Sequence, residues 1–85
     1  MNRRKLLQRI LQGSHQNISF FDLAGLLAGL GFRPLRIRGS HHLFYHPSFS
    51  ELVNLQPRRG QTKAYEIRDV VRLIRQYNLK LEDEP

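Results

Sequence analysis

The sequence predicts an α+β domain in which helices pack on one face of a three-stranded antiparallel sheet, and the other face meets solvent. Apolar residues recur every three to four positions in three segments. Between the second and third of these segments the period changes to two, and Gly, Ser and Pro separate short runs. The resulting order is helix, helix, strand, strand, strand, helix. Eighty-five residues are too few for two cores, so we expect a single domain over residues 1–85.

Two helices are predicted before the strands. Residues 2–11 carry leucines and an isoleucine at helical spacing among basic residues, and Gly13 ends this segment. Ser19 is a favourable N-cap for a second helix, with Asp22 three positions later. Gly31 follows the last apolar residue of that helix, where a left-handed C-terminal cap is common.

Three strands are predicted in the middle of the chain. Residues 35–38 alternate, residues 39–40 form a glycine-serine turn, and residues 41–46 continue as an aromatic-rich strand. We expect residues 47–50 to form a turn and residues 52–56 to form the third strand. Three consecutive strands joined by short turns indicate an antiparallel meander.

The sequence pattern does not determine which side of the second strand faces the core. Alternation places His41, Leu43 and Tyr45 on one side of the strand. It places Phe44 and His46 on the other side, together with His42. Both sides contain apolar side chains, so either one can face the core.

A third helix is predicted over residues 64–77. Its apolar side chains are Ile67, Val70, Val71 and Ile74. Arg68, Arg72 and Arg75 are spaced by four and three residues and share a cationic face, which serves either phosphate binding or solvation alone.

The composition excludes several classes of protein. The chain has no cysteine, so it has no disulfide scaffold, no thiolate zinc site and no cysteine nucleophile. No apolar run approaches a membrane span, and we expect a cytoplasmic protein that binds no membrane. Fourteen Lys and Arg against seven Asp and Glu give a formal charge of +7, which attracts polyanions such as nucleic acid. Acidic residues crowd into a tail over residues 80–85.

The candidate chemistry lies around the glycine-serine turn. His41, His42 and His46 fall within six residues, beside Arg36 and Arg38. Imidazole exchanges protons near neutral pH, and guanidinium groups stabilise charge on a phosphate, so this set suits RNA cleavage through the 2′-hydroxyl. The same histidines can equally be surface residues or hydrogen-bonded core residues. A metal site is disfavoured because there is no cysteine and no carboxylate nearby, and we expect neither metal nor cofactor.

Residues 38–47, RGSHHLFYHP, resemble the signature of HicA-type toxins, which are small bacterial mRNA interferases of toxin–antitoxin pairs. In that signature a basic residue precedes Gly-Ser-His, and a Phe and a His-Pro follow. The resemblance covers residues 19–79, and residues 1–18 form an additional helical segment.

The resemblance implies a fold similar to double-stranded RNA-binding domains and a metal-independent ribonuclease whose catalytic residue is His41. Gly39 and Ser40 then shape the turn, and Arg38 stands where lysine is more usual. It also implies a HicB-like antitoxin as a partner that covers the site. We expect the free protein to be a monomer. The chain departs from the family pattern after its third strand and at the start of its last helix.

The leading hypothesis is therefore an mRNA-cleaving toxin. Its candidate RNA-binding residues are basic residues and the turn, namely Arg36, Arg38, Gly39, Ser40, Arg58, Arg59, Arg68, Arg72 and Arg75. Two alternatives remain at this point: a module that binds RNA or DNA without cleaving it, and a protein-interaction module whose basic surface docks an acidic partner.

Overall fold

The α+β class is confirmed in a computed structural model of the chain, which describes residues 1–82. The elements are α1 (Arg3–Leu11), α2 (Phe20–Gly29), β1 (Arg33–Arg38), β2 (His41–His46), β3 (Phe49–Leu55) and α3 (Ala64–Tyr77). The three strands form one antiparallel sheet in the order β1-β2-β3, and the helices lie on one side of it. Half of the predicted acidic tail, residues 83–85, lies outside the described residues, and residues 80–82 belong to them. No helix within residues 1–82 is long and apolar enough to cross a bilayer.

The pairing register determines which side of the sheet is buried. Phe44 pairs with Val53 and both side chains are buried, so this side of β2 faces the helices. His41 pairs with Arg38 on β1, and both residues are exposed. Since paired residues of an antiparallel ladder project to the same side, the side that carries His41 is the open face of the sheet.

The core is one cluster of aliphatic and aromatic side chains between the helices and the sheet. Leu6 and Ile10 of α1 are among its fully buried members. The segment 1–18 is therefore an integral part of this hydrophobic core, although the family resemblance does not extend to it.

Local capping explains where the helices begin and end. The Ser19 hydroxyl accepts a hydrogen bond from the Asp22 N–H at 3.0 Å, as predicted for the start of α2. Gly31 follows α2 with φ +97°, and a Cβ there would lie 2.8 Å from Nε2 of His46. A residue with a side chain would therefore be strained and would also collide with a buried ring. Asn78 ends α3 in the left-handed conformation.

Two strands begin earlier than predicted, and β3 also ends one residue earlier, at Leu55 rather than at position 56. β1 begins at Arg33 rather than at position 35, because the ladder to β2 continues past a bulge at Leu35. β3 begins at Phe49, because the turn after β2 contains only residues 47–48 and Phe49 pairs with His46. Both early starts arise from pairing with a neighbouring strand, which a local sequence pattern does not contain.

Candidate nucleic-acid interface

The open face of the sheet carries a row of arginines. In the β1–β2 ladder, Arg38 pairs with His41, Arg36 pairs with Leu43, and Arg33 pairs with Tyr45. The bulge at Leu35 inserts one extra residue, which brings Arg33 onto the same side as Arg36 and Arg38. None of the three guanidinium groups forms an ion pair within residues 1–82. The face is therefore strongly cationic.

The carboxylates of residues 1–82 lie away from this open face. Asp22 is in the first turn of α2, and Glu51 bonds to side chains of α3. Glu66 is buried at the start of α3, where it accepts hydrogen bonds from backbone N–H groups. Asp69 lies on α3 and Glu82 follows it. No described acidic group offsets the arginines on the sheet, so the potential there favours a polyanion.

His41 occupies one end of this face, directly after the turn. Gly39 adopts φ +59°, a left-handed conformation that suits glycine and allows the tight reversal into β2. The His41 ring is exposed, and Nδ1–H donates to Oδ1 of Asn54 at 3.1 Å. An amide oxygen only accepts, so the neutral tautomer that makes this bond carries its proton on Nδ1 and has its lone pair on Nε2. Nε2 forms no hydrogen bond within residues 1–82 and can accept a proton from a ligand.

His42 and His46 are engaged in contacts inside the protein. His46 is buried, its Nε2–H donates to the Leu30 carbonyl at 3.1 Å, and its Nδ1 accepts the Ser48 N–H at 3.1 Å. The ring also stacks on Phe49, with centroids 4.6 Å apart. His42 is half-buried against Phe20 of α2, with ring centroids 4.6 Å apart. Of the three clustered histidines, only His41 presents an exposed ring on the open face.

A chain of side chains connects the turn to the start of α3. Gln56 follows β3, and its Nε2 donates to Oγ of Ser40 at 3.0 Å. The Oε1 atom of the same amide accepts from Nζ of Lys63 at 3.3 Å. Glu66 holds both neighbours in place, because its carboxylate accepts the backbone N–H of Gln56 at 2.7 Å and that of Lys63 at 2.9 Å. Lys63 thus lies two hydrogen bonds from Ser40.

Arg58 and Arg59 lie on an ordered loop between β3 and α3. Arg58 and Gln61 exchange two backbone hydrogen bonds, both of 2.9 Å. Between them, Arg59 and Gly60 have φ +52° and +77°, the signs required by a type I′ turn. The Gly60 carbonyl accepts the Phe20 N–H at 2.8 Å, which ties the loop to α2. Both arginine side chains are exposed.

The predicted arginine stripe of α3 lies in the helical layer, apart from the open face. Arg72 pairs with Glu51 at 3.1 Å, and Arg75 donates to the Leu11 carbonyl at 3.0 Å. Arg68 is exposed. The Tyr77 hydroxyl and then Arg72 lower the pKa of the Glu51 carboxyl from its ordinary value of 4.5, while the same carboxylate raises the pKa of Tyr77. Arg72 and Arg75 therefore already serve to hold α3 against β3 and α1.

The predicted site residues thus fall into three groups. Arg36, Arg38, Gly39, Ser40 and His41 lie together at the turn and on the open face. Arg58 and Arg59 lie on the loop before α3, and the three α3 arginines lie in the helical layer. The structure gathers the first group into one site and leaves the third apart.

Sequence reasoning missed four side chains at this site: Arg33, Asn54, Gln56 and Lys63. Arg33 was hidden because a strict period of two places it with Leu35 and Ile37. Asn54 offered a weak signal, since an amide is unusual inside an apolar strand. Gln56 and Lys63 offered none, because their role arises from contacts across the sheet end.

The residues around His41 provide no metal centre. Within residues 1–82 there is no group of three or more His, Asp or Glu side chains arranged to hold an ion. His41 and His42 project to opposite sides of β2, so they cannot both bind the same metal ion.

Comparisons with protein families, with curated proteins and with solved structures return no match for this chain.

Proposed function

We propose that this protein is an endoribonuclease that cleaves single-stranded RNA on the open face of its sheet, with His41 as general base. The observation that carries the proposal is the state of His41: an exposed ring with Nδ1–H bound to Asn54, Nε2 open, and Arg38 directly opposite on β1. A general base needs an accessible nitrogen with a defined tautomer beside groups that stabilise anionic charge.

The proposed reaction uses the imidazole of His41, the guanidinium groups of two arginines and solvent water. Nε2 of His41 removes the proton from a ribose 2′-hydroxyl, and the 2′-oxygen attacks the adjacent phosphorus. The P–O5′ bond breaks and the leaving oxygen takes a proton from solvent water, which leaves a 2′,3′-cyclic phosphate on one product and a 5′-hydroxyl on the other. His41 then releases to solvent the proton that it removed. Arg38 and Arg36 stabilise the charge that builds on the phosphoryl oxygens. No residue is assigned as the acid for the leaving group.

The same residues support membership of the HicA-type toxins, with mRNA in the cytoplasm as the substrate. The supporting features are the Gly39-Ser40 turn, the histidine that follows it, and a helix, three antiparallel strands and a helix over residues 19–79, an order similar to double-stranded RNA-binding domains. A HicB-like antitoxin would inhibit such an enzyme by covering the open face, and the excess of arginines there favours an acidic inhibitor surface.

A second candidate function is RNA binding without cleavage. Leu43 and Tyr45 are half-buried on the open face beside Arg36 and Arg33. An aromatic and an aliphatic side chain among arginines can contact bases and phosphates without participation of His41.

One experiment separates the two functions. Purified protein is incubated with a fluorescent single-stranded RNA in EDTA, and with the same oligonucleotide carrying 2′-deoxyribose throughout. The ribonuclease cuts only the RNA and leaves cyclic phosphate ends, whereas His41→Ala binds the RNA without cutting it. His15→Ala is the matched control, because this histidine bonds to the Ile10 carbonyl at the end of α1. Binding without cleavage by the wild type would establish the second function, and cleavage of the deoxy strand would exclude the mechanism.

A further inference from the structure

Lys63 is a cation whose ammonium group forms no ion pair with a carboxylate of the described residues. Its Nζ lies 3.3 Å from the amide oxygen of Gln56 and 5.7 Å from the centroid of the Tyr65 ring. Glu66, the nearest acid along the helix, directs both carboxylate oxygens to backbone N–H groups. An ammonium group donates three hydrogen bonds, so donors remain for a ligand.

Lys63 also lines a surface depression together with Arg58 and Arg59. The remaining lining residues are Gln61 and Thr62, so three of the five side chains are cationic and none is acidic. The depression is rigid because the turn at residues 58–61 is closed by two backbone hydrogen bonds. It is anchored further where the Thr62 N–H and hydroxyl donate to the Ile18 carbonyl at 2.9 and 2.7 Å. Rigid walls lower the entropic cost of binding an anion.

The hydrogen-bond chain places this depression next to the candidate catalytic turn. Gln56 binds Lys63 through its oxygen and Ser40 through its nitrogen, and Ser40 is followed directly by His41. An RNA strand that lies at His41 and continues past the turn on the side of Gln56 would therefore pass Lys63. Phosphates repeat along every RNA strand, so a cation at this place engages a phosphate whatever the base sequence.

We propose that Lys63, with Arg58 and Arg59, binds the RNA backbone phosphate next to the one that lies at His41, and that Gln56 positions the Lys63 ammonium group relative to His41. The inference rests on RNA as the ligand of the proposed function, but it does not require cleavage. Lys63 is a binding residue in this scheme, and Gln56 is a positioning residue.

The test is the salt dependence of RNA binding in a His41→Ala background, where no strand is cut. For single-stranded RNA, each phosphate contact contributes about 0.7 to the slope of log affinity against log salt. Lys63→Met should reduce the slope by about 0.7, and Lys63→Arg should restore it. Lys80→Met is the matched control. Lys80 is exposed and lies beside α1, so its substitution should leave the slope unchanged. Circular dichroism verifies that each variant folds.

Gln56→Ala tests the positioning role. It should weaken binding when Lys63 is present and have no further effect in the Lys63→Met variant, since the amide then has no ammonium group to hold. Additive losses would overturn the role of Gln56.

The outcomes separate this inference from the ribonuclease proposal. A slope that falls with Lys63→Met while the His41-intact protein cuts no RNA supports the subsite and overturns the enzyme. Cleavage that depends on His41, with equal slopes for Lys63→Met and its parent, supports the enzyme and overturns the subsite. A protein that binds no RNA at any salt concentration overturns both.

Discussion

The two ends of β2 carry histidines with opposite surroundings. His41 lies on the open face, exposed, with one ring nitrogen bound to Asn54 and the other open. His46 lies on the helical side, where Leu30 and Ser48 engage both ring nitrogens and aromatic rings cover it. A histidine with both nitrogens bound inside the protein stabilises the fold but cannot take up a substrate proton. The two faces of this strand therefore separate the proposed general base from a histidine that stabilises the fold.

The largest expected effect tests the open end of the strand. His41→Ala should lower the rate of RNA cleavage by about 100- to 10,000-fold, because a general base contributes that much. The free energy of unfolding, measured with urea, should change by less than about 0.5 kcal/mol, since the ring is exposed. A variant that loses stability but keeps its cleavage rate would reverse the assignment of the two histidines.

The buried end should behave in the opposite way. His46→Ala should lower the free energy of unfolding by about 2–4 kcal/mol, because it leaves a cavity and removes the partners of the Leu30 carbonyl and the Ser48 N–H. Under conditions where the variant is folded, its cleavage rate should match that of the wild type. An unchanged urea midpoint would show that this ring does not support the core.

Asn54 sharpens the assignment of His41. Asn54→Leu should lower kcat about tenfold and leave KM nearly unchanged, because the Nδ1–H loses the acceptor that fixes the ring's orientation and tautomer. Asn54→Asp keeps an acceptor and should retain more of the kcat. Equal kcat values for Asn54→Leu and the wild type would mean that His41 needs no positioning partner.

A smaller change is expected away from both histidines, at the start of α2. Ser19→Ala removes the acceptor for the Asp22 N–H and should lower the free energy of unfolding by about 1 kcal/mol. Ser19→Asn replaces the cap and should recover most of this loss in the same urea titration. A full loss with both variants would point to another role for the hydroxyl.

The smallest effect concerns pH and the helical layer. The Tyr77 hydroxyl and Arg72 lower the pKa of the folded Glu51 carboxyl, so its stabilising contribution is present above the ordinary value of 4.5 and is lost as the pH falls toward the folded pKa. In urea titrations at pH 6 and at pH 3, Glu51→Gln should therefore show a smaller drop in stability than the wild type. An equal drop would mean that other carboxylates account for the acid sensitivity.

The elements of the fold were largely predictable, and so were the turn and His41 as candidates. Helix caps such as Ser19 and Gly31 act within a few residues, so the local sequence contains their signal. The start of β3 at Phe49 was not predictable, because it depends on pairing with His46. The α3 arginines shared a face as predicted, but Arg72 and Arg75 bond to groups that only packing brings close.

The sequence by itself determined the α+β class, the order of the elements, the net positive charge and the glycine-serine turn that precedes His41. Only the tertiary structure decided which side of β2 is buried, that the bulge at Leu35 turns Arg33 toward the open face, and that Gln56 links Lys63 to Ser40. The physical reason is the distance along the chain over which each interaction acts. Periodicity and capping act between near neighbours, whereas burial and register depend on the combined contacts of residues far apart in the chain.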